Sequence, residues 1–587
     1  MDGVMYLAKN GLAFRGDSEK IYTKHNGKFL SLMKLIAKHN PVLNMHLQRI
    51  VKKDIHYHYL SHKIQNESIM RFAKEIKTSI VQKVQKAKYF SIILDCMPDI
   101  SRKEQMSIVV RCVDVSQTPT KLEEFFLGFL QVNDTTGAGL FLELQDALEK
   151  LHLNIYNIRG QGYGNGANMK GKRKGVQKKL INMNPRAFYT PCGCHSLNLI
   201  LCDMAKSCEK ASSFFGIVQT TYKLFPASTK RWQVFKKNRR EWSHSQAIIG
   251  YKVGKSCGKH QSYYISSPED TERSKHLKKN SDDDSEKCVV DGLIKLHFKN
   301  FEFFLRMVIW YDLLSDVNSV SKSMQKQDMH MATAIKHINK LISYFQGYRD
   351  TGFESAMKEA TNIATSMGVT PKFREIRVRK RKKHFDEGPS EDPVPSSGEE
   401  SFKTNYFFYI IDYALRSFKE IFAQFREYER LYRFLFDLEK LKSMNNEELL
   451  ASCKTLEEYL SYGTIYDIDG KDLYAELKII RGMISTDIKK PIEVLHFLQE
   501  MEGCYPNAWI AYRILFTVPV TVASAERSFS QLKLIKTYLQ STMLQERLNG
   551  LAMIAIEREI AELLDYKPII RDFASENARR AVFTPTQ

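Results

Sequence analysis

The run Ser91-Ile-Ile-Leu-Asp95 stops an apolar stretch at an acid. A carboxylate at the end of a buried strand is held rigidly at a sheet surface, where a divalent ion can use it. Enzymes that move phosphoryl groups with two metals need several such oxygens converging within a few ångströms. Strands also end in Asp for the sake of the following turn, and the motif alone admits both readings. Near the other end of the chain stands Ala523-Ser-Ala-Glu-Arg-Ser-Phe-Ser530. Ser524 reads as an N-cap there, and Glu526 falls in the first helical turn, where the helix dipole favours an anion without any chemistry being required.

Between Glu149 and Asp203 there is no acid at all. The same stretch carries Lys150, Arg159, Lys170, Lys172, Arg173, Lys174, Lys178, Lys179 and Arg186, with Gly160, Gly162, Gly164 and Gly166 among them. Cations without anions suit a phosphate backbone, and glycines let a chain approach it closely. Contacts of this kind position nucleic acid rather than read its sequence. The competing reading is a solvated helix face. Cys192-Gly-Cys-His195 has the spacing of metal ligands, but zinc needs four and only Cys202 and Cys208 are near. On a helix starting at Cys194, Cys208 points away, so a structural role for Cys192 and His195 is expected and no metal.

The elements that must hold these residues follow from the apolar pattern. Tyr89–Leu94, Met106–Val115 and Leu122–Val132 read as strands, Leu140–Leu151 as a helix, Asn154–Ile158 as a short strand, then a Gly-rich loop and helices from about Ala167 and Cys194. Three strands, a helix, a strand and a helix predict a mixed α/β sheet. Residues 1–75 read as helical, 239–290 as a polar and disordered insertion, and 291–490 as helical around a solvated linker at 386–400. In 491–587, Leu532, Leu534 and Ile535, then Leu548, Leu551, Ala552, Met553 and Ile556, form apolar stripes at helical spacing.

The chain has 587 residues, 43% of them hydrophobic, enough for roughly two to four domains with real cores. Lys and Arg total 88 against 67 acids, a formal charge of +21 that favours a polyanionic partner. No window is apolar for long enough to span a membrane, and ten cysteines over this length do not make a disulfide framework. A soluble intracellular protein is expected. The basic run Arg377-Val-Arg-Lys-Arg-Lys-Lys383 reads as a nuclear-import signal.

Four blocks carry a resemblance: Tyr89 to Ser107, Asn157 to Met169, Pro191 to Leu199, and Ala523 to Ser530. In this order they closely resemble the hAT (hobo/Activator) transposases, particularly the zinc finger MYM-type subgroup. The resemblance implies an RNase H-like core, beginning in 76–238 and completed by 491–587, interrupted by a large helical insertion. It implies C-terminal dimerisation, with Phe529, Leu532, Leu548 and Leu551 candidates for the dimer face as well as for the core. It further implies strand cleavage and joining by an Asp–Asp–Glu triad holding magnesium, with Asp95 the first acid and Glu526 the third. The family loop reads Gly-Tyr-Asp-Asn-Gly-Ala, and here Gly164 stands in place of that Asp. The family also stacks a Trp on an unpaired base, and Trp232 is the nearest candidate.

These readings converge on a transposase-derived, DNA-associated dimerising protein without strand-transfer activity and without a working magnesium site. An active transposase with a non-standard second ligand and a scaffold that no longer binds DNA are the alternatives.

Overall fold

A computed structural model describes residues 1–55, 58–224, 250–254, 260–264, 292, 299–326, 329–374, 397–485, 487–537 and 541–575. The chain divides into two compact units. One comprises Met1–Cys192, Gln327–Ala332 and Glu427–Gln587; the other comprises Gly193–Lys326 and Thr333–Arg426.

The first unit is built on a five-stranded sheet of order β3-β2-β1-β4-β5. Its strands are β1 (Phe90–Pro98), β2 (Glu104–Asp114), β3 (Lys121–Val132), β4 (Ile158–Tyr163) and β5 (Phe188–Pro191). β2 pairs antiparallel with both β1 and β3, whereas β4 and β5 are parallel additions on the other side of β1. This is the mixed sheet predicted from the sequence. β2 is rich in β-branched residues and buried along almost its whole length, as a central strand should be.

Three local expectations need correction. β1 does not end at Asp95 but pairs with β2 through Pro98. β4 starts at Ile158 and includes Gly160 and Gly162, which were expected in a loop. Those glycines serve packing: a Cβ on Gly160 would lie 2.2 Å from Ser91 Oγ of β1 and 2.9 Å from Pro519 Cδ, and one on Gly162 3.0 Å from Pro519 Cγ. β5 carried no sequence signal, being four residues long and interrupted by no turn motif before the Cys192 helix.

The helix His62–Ala87 opens on Ser61, whose side chain accepts from the Ile64 amide. Its buried face repeats Ile69, Phe72, Ile76, Ile80 and Val84 at helical spacing. It crosses residue 75 without a break, so the expected boundary there is not a structural one. The helices Pro506–Thr517, Ala523–Ile535 and Gln545–Ile556 complete the sheet's cover. Residues 427–490 also belong to this unit, and not to the helical insertion as expected. Asp467, in that segment, is ion-paired to Arg159 on β4.

The second unit is helical, with Gly193–Lys206, Glu209–Leu224, Phe301–Met324, most of Met331–Ser366 and Tyr409–Ile421. Trp310 is fully buried there and donates its Nε1 hydrogen to Tyr406 Oη at 2.8 Å. The span expected to be disordered, 239–290, contains an antiparallel hairpin of β6 (Gly250–Gly254) and β7 (His260–Tyr264). The linker expected at 386–400 ends earlier, since Ser397 caps a helix at Gly398–Phe402. Trp232 and the basic run 377–383 lie outside the described residues.

Candidate functional site

The parallel pairing of β1 with β4 sets Leu94 opposite Tyr163. The next residue on each strand is therefore Asp95 on β1 and Gly164 beyond β4. A Cβ built on Gly164 lies 3.0 Å from Asp95 Oδ1 and meets nothing else within 4 Å. Gly164 is not among the glycines with positive φ, so its backbone does not demand glycine. The loop simply has no side chain where it faces the acid.

Glu526 completes the group from the helix Ala523–Ile535, in whose first turn it stands as expected. The cap differs from expectation: Val522 is the N-cap, and the Ser524 hydroxyl is buried without a hydrogen-bond partner. Three contacts fix this helix on the sheet. The Val522 amide donates to Cys192 Sγ at 3.4 Å. Ser528 and Ser107 of β2 share a buried hydroxyl–hydroxyl hydrogen bond of 2.8 Å. At the helix end, Lys536 Nζ lies 2.6 Å from Asp99 Oδ2 in a buried ion pair. Burial works against the Asp99 carboxylate, yet hydrogen bonds from Lys536, Lys103 and Ser101 hold it below the usual carboxylate range. The helix carrying Glu526 is thus tied to the same strand edge that carries Asp95.

The two acids interact electrostatically at Asp95. Burial raises the Asp95 carboxyl from 3.8 to about 7, and the charge of Glu526 adds to the rise. No cation among the causes offsets it. At Asp95, then, burial and the negative charge of Glu526 act together to favour the protonated form. The donor set does not fit the two-metal clamp of strand transfer, however. Among the described residues no group of three or more His, Cys, Asp or Glu converges to hold a metal ion, and the position that would add the third carboxylate is Gly164.

The basic stretch separates into two populations. Arg159 and Arg186, expected at a phosphate, are buried. Arg159 grips Asp467 with Nε and Nη2, both at 2.6 Å, and Arg186 reaches the same carboxylate at 3.3 Å. That assignment is corrected: these arginines join 427–490 to the sheet and cannot reach a ligand. Lys150 pairs with Asp146 one turn away at 2.6 Å. The remaining six cations keep the expected placement. Lys170, Lys172, Arg173 and Lys174 are exposed, with Lys178 and Lys179 half-buried, and none of them is in an ion pair among the described residues. The loop before the helix Val176–Met183 is set by Gly137, where a Cβ would lie 2.2 Å from the Lys174 carbonyl.

Cys192 is buried, and its thiol serves the helix cap described above. His195 sits half-buried on the helix Gly193–Lys206 of the second unit. Phe529, Leu532, Leu548 and Leu551 are all buried within the chain, with Phe529 and Phe129 ring centroids 5.6 Å apart. They form core, and the dimer-face assignment for these four is corrected. Exposed apolar side chains in the same region include Leu534 and Leu544. The residues that sequence reasoning missed are Asp467, Asp99 and Lys536, whose partners stand hundreds of positions away.

Residues 1–175 match the model of the ZMYM1/FAM200 RNase-like domain, and residues 472–560 match that of the hAT family C-terminal dimerisation region. The chain is similar to the 52 kDa repressor of the inhibitor of the protein kinase from Homo sapiens, 25% identical over 528 residues, covering 84% of this chain and 64% of that protein. Its Mus musculus counterpart is 25% identical over 547 residues, covering 84% and 65% respectively. The chain therefore spans a little under two thirds of the length of these relatives. Among the described residues no helix is long and apolar enough to cross a membrane.

Proposed function

Because this chain belongs to the hAT superfamily of transposase-derived proteins, we propose that it is a DNA-associated, self-associating protein that has lost strand transfer. One observation carries the reading: Asp95 on the central strand feels the charge of Glu526 from the helix Ala523–Ile535, and the position whose Cβ would lie 3.0 Å from Asp95 Oδ1 is a glycine. Strand transfer needs the attacking and leaving oxygens neutralised together by metal ions held between several carboxylates. With two acids, magnesium keeps too few protein oxygens to be held in that role, so the site is vestigial and carries no resident metal.

DNA association rests on the six unpaired cations from Lys170 to Lys179, which form a surface able to follow a phosphate backbone. Self-association follows from the hAT dimerisation region, through Leu534 and Leu544. A nuclear site of action agrees with the relatives being repressors and with the basic run at 377–383.

The test uses purified protein and duplex DNA with magnesium or manganese, alongside sedimentation. Salt-sensitive binding, no cleavage and a mass above the monomer are expected. Cleavage that disappears in Asp95→Ala would refute the loss of activity, and a monomer with no affinity for DNA would refute the rest.

A further inference from the structure

Arg15 and Arg547, from opposite ends of the chain, donate to one oxygen. Arg15 Nη2 reaches Asn66 Oδ1 at 2.9 Å, and Arg547 Nη1 donates to the same atom. Two guanidinium groups on one acceptor stand roughly 4–6 Å apart, given ordinary hydrogen-bond lengths. Each uses one of five N–H donors on that amide.

The positions are fixed by the fold. Phe29 donates its amide to the Phe14 carbonyl at 3.1 Å, and Asp17 to His25 at 2.9 Å. Gly16 and Gly27 cross between these bonds too closely for side chains: a Cβ on Gly27, whose φ is +82°, would lie 2.5 Å from Gly16 N. Arg15 is thereby held on a pinned segment. Asn66 stands on the helix His62–Ala87, and Arg547 in the first turn of Gln545–Ile556 with its guanidinium 5.3 Å from the Phe14 ring centroid.

What is missing is a counter-charge. Among the described residues neither arginine forms an ion pair with a carboxylate; Glu67 pairs with Arg71 and Glu19 with His62. Burial, then the like charge of Arg15, lowers the Arg547 guanidinium to about 10. A cation in the first turn also opposes the helix dipole. Like charges sharing one neutral acceptor, one of them partly desolvated, repel each other until an anion joins them.

We propose that Arg15 and Arg547, oriented by Asn66, form an anion site that takes a phosphate group, either free or esterified in a nucleic-acid strand. The paired planar forks present donors matched to the tetrahedral oxygens of phosphate. The site is separate from the Lys170–Lys179 surface and stands whether or not that surface binds DNA.

Thermal unfolding of the full chain in inorganic phosphate, against sodium chloride of equal ionic strength, tests it. Phosphate should raise the midpoint beyond chloride. Arg15→Gln, at an exposed position, should abolish the gain and weaken phosphate binding about tenfold or more, the scale of a hydrogen bond to a charged group. Arg547→Met should do the same, while Lys172→Ala with Lys174→Ala should leave the gain intact. No phosphate-specific gain in the wild type, or a gain that survives Arg15→Gln, would overturn the proposal. A short oligonucleotide that competes with phosphate in the wild type identifies the strand as the source; binding of both together identifies free phosphate.

Discussion

Asp95 is held with its carboxyl raised to about 7 by burial and by Glu526. The ordinary value is 3.8, so folding favours the protonated form. The stability this gives is complete below about pH 4 and is lost as pH rises through 7. Asp95→Asn stays neutral throughout. It should match the wild type near pH 4 and exceed it at pH 8 by on the order of 1 kcal/mol, since a tenfold change in proton affinity corresponds to about 1.4 kcal/mol and the site is only partly enclosed. Urea unfolding at the two pH values checks this; equal stabilities at pH 8 would mean that neither burial nor Glu526 disfavours the Asp95 carboxylate. Gly164→Asp adds a third carboxylate at a backbone that accepts one, provided Asp95 gives by a few tenths of an ångström. Without divalent ions it should destabilise the protein at pH 8 by about 1 kcal/mol or more. Magnesium should then restore the midpoint in the variant and leave the wild type unmoved.

At the scale of elements, the site depends on how the Glu526 helix is anchored. Lys536 and Asp99 form a buried pair at its end. Breaking such a pair by removing one partner leaves an uncompensated charge and costs about 3–5 kcal/mol. Lys536→Met should therefore lower the unfolding free energy by that amount, whereas Lys536→Met with Asp99→Leu should recover much of it. A single variant as stable as the wild type would show that the pair holds nothing. The same scale explains what the sequence made legible. Strands β1, β2 and β3 announced themselves because their apolar runs, β-branched in β1 and β2 and aromatic in β3, are long and their turns short. The acid pair was legible only through motif resemblance, since Asp95 and Glu526 look locally like a strand-end acid and a first-turn acid. Arg159 was misread because its partner, Asp467, lies 308 residues on; within the acid-free stretch nothing distinguishes a buried cation from a solvated one. The glycines of β4 misled for a similar reason, because the residues they make room for, Ser91 and Pro519 at Gly160 and Pro519 at Gly162, come from other parts of the chain.

For the whole molecule, the +21 charge is a statement about partners, and its effects depend on where the cations stand. The run Arg377–Lys383 lies outside the described residues, and its expected consequence is nuclear import. In a fluorescent fusion, replacing Arg379, Lys380, Arg381, Lys382 and Lys383 with Ala should shift the protein to the cytoplasm, and undiminished nuclear signal would dismiss the motif.

The cations of the Lys170–Lys179 surface make a quantitative demand of their own. If all six engage phosphates, the logarithm of the binding constant should fall with the logarithm of salt at a slope of roughly −5 on duplex DNA. Removing one contact should flatten that slope by about one and weaken binding to every sequence alike. Lys172→Ala and Lys174→Ala are the informative changes, because both side chains are exposed and their loss leaves the core untouched. Together they should reduce the slope by about two, with no change in thermal midpoint. Arg159→Ala is the contrasting control. Its side chain is buried on Asp467, so it should destabilise the fold by about 3–5 kcal/mol while leaving the slope of the remaining folded protein unchanged. A salt slope that responds to Arg159 rather than to Lys172 and Lys174 would place the phosphate contacts elsewhere and remove the basis for reading this surface as the DNA-facing one.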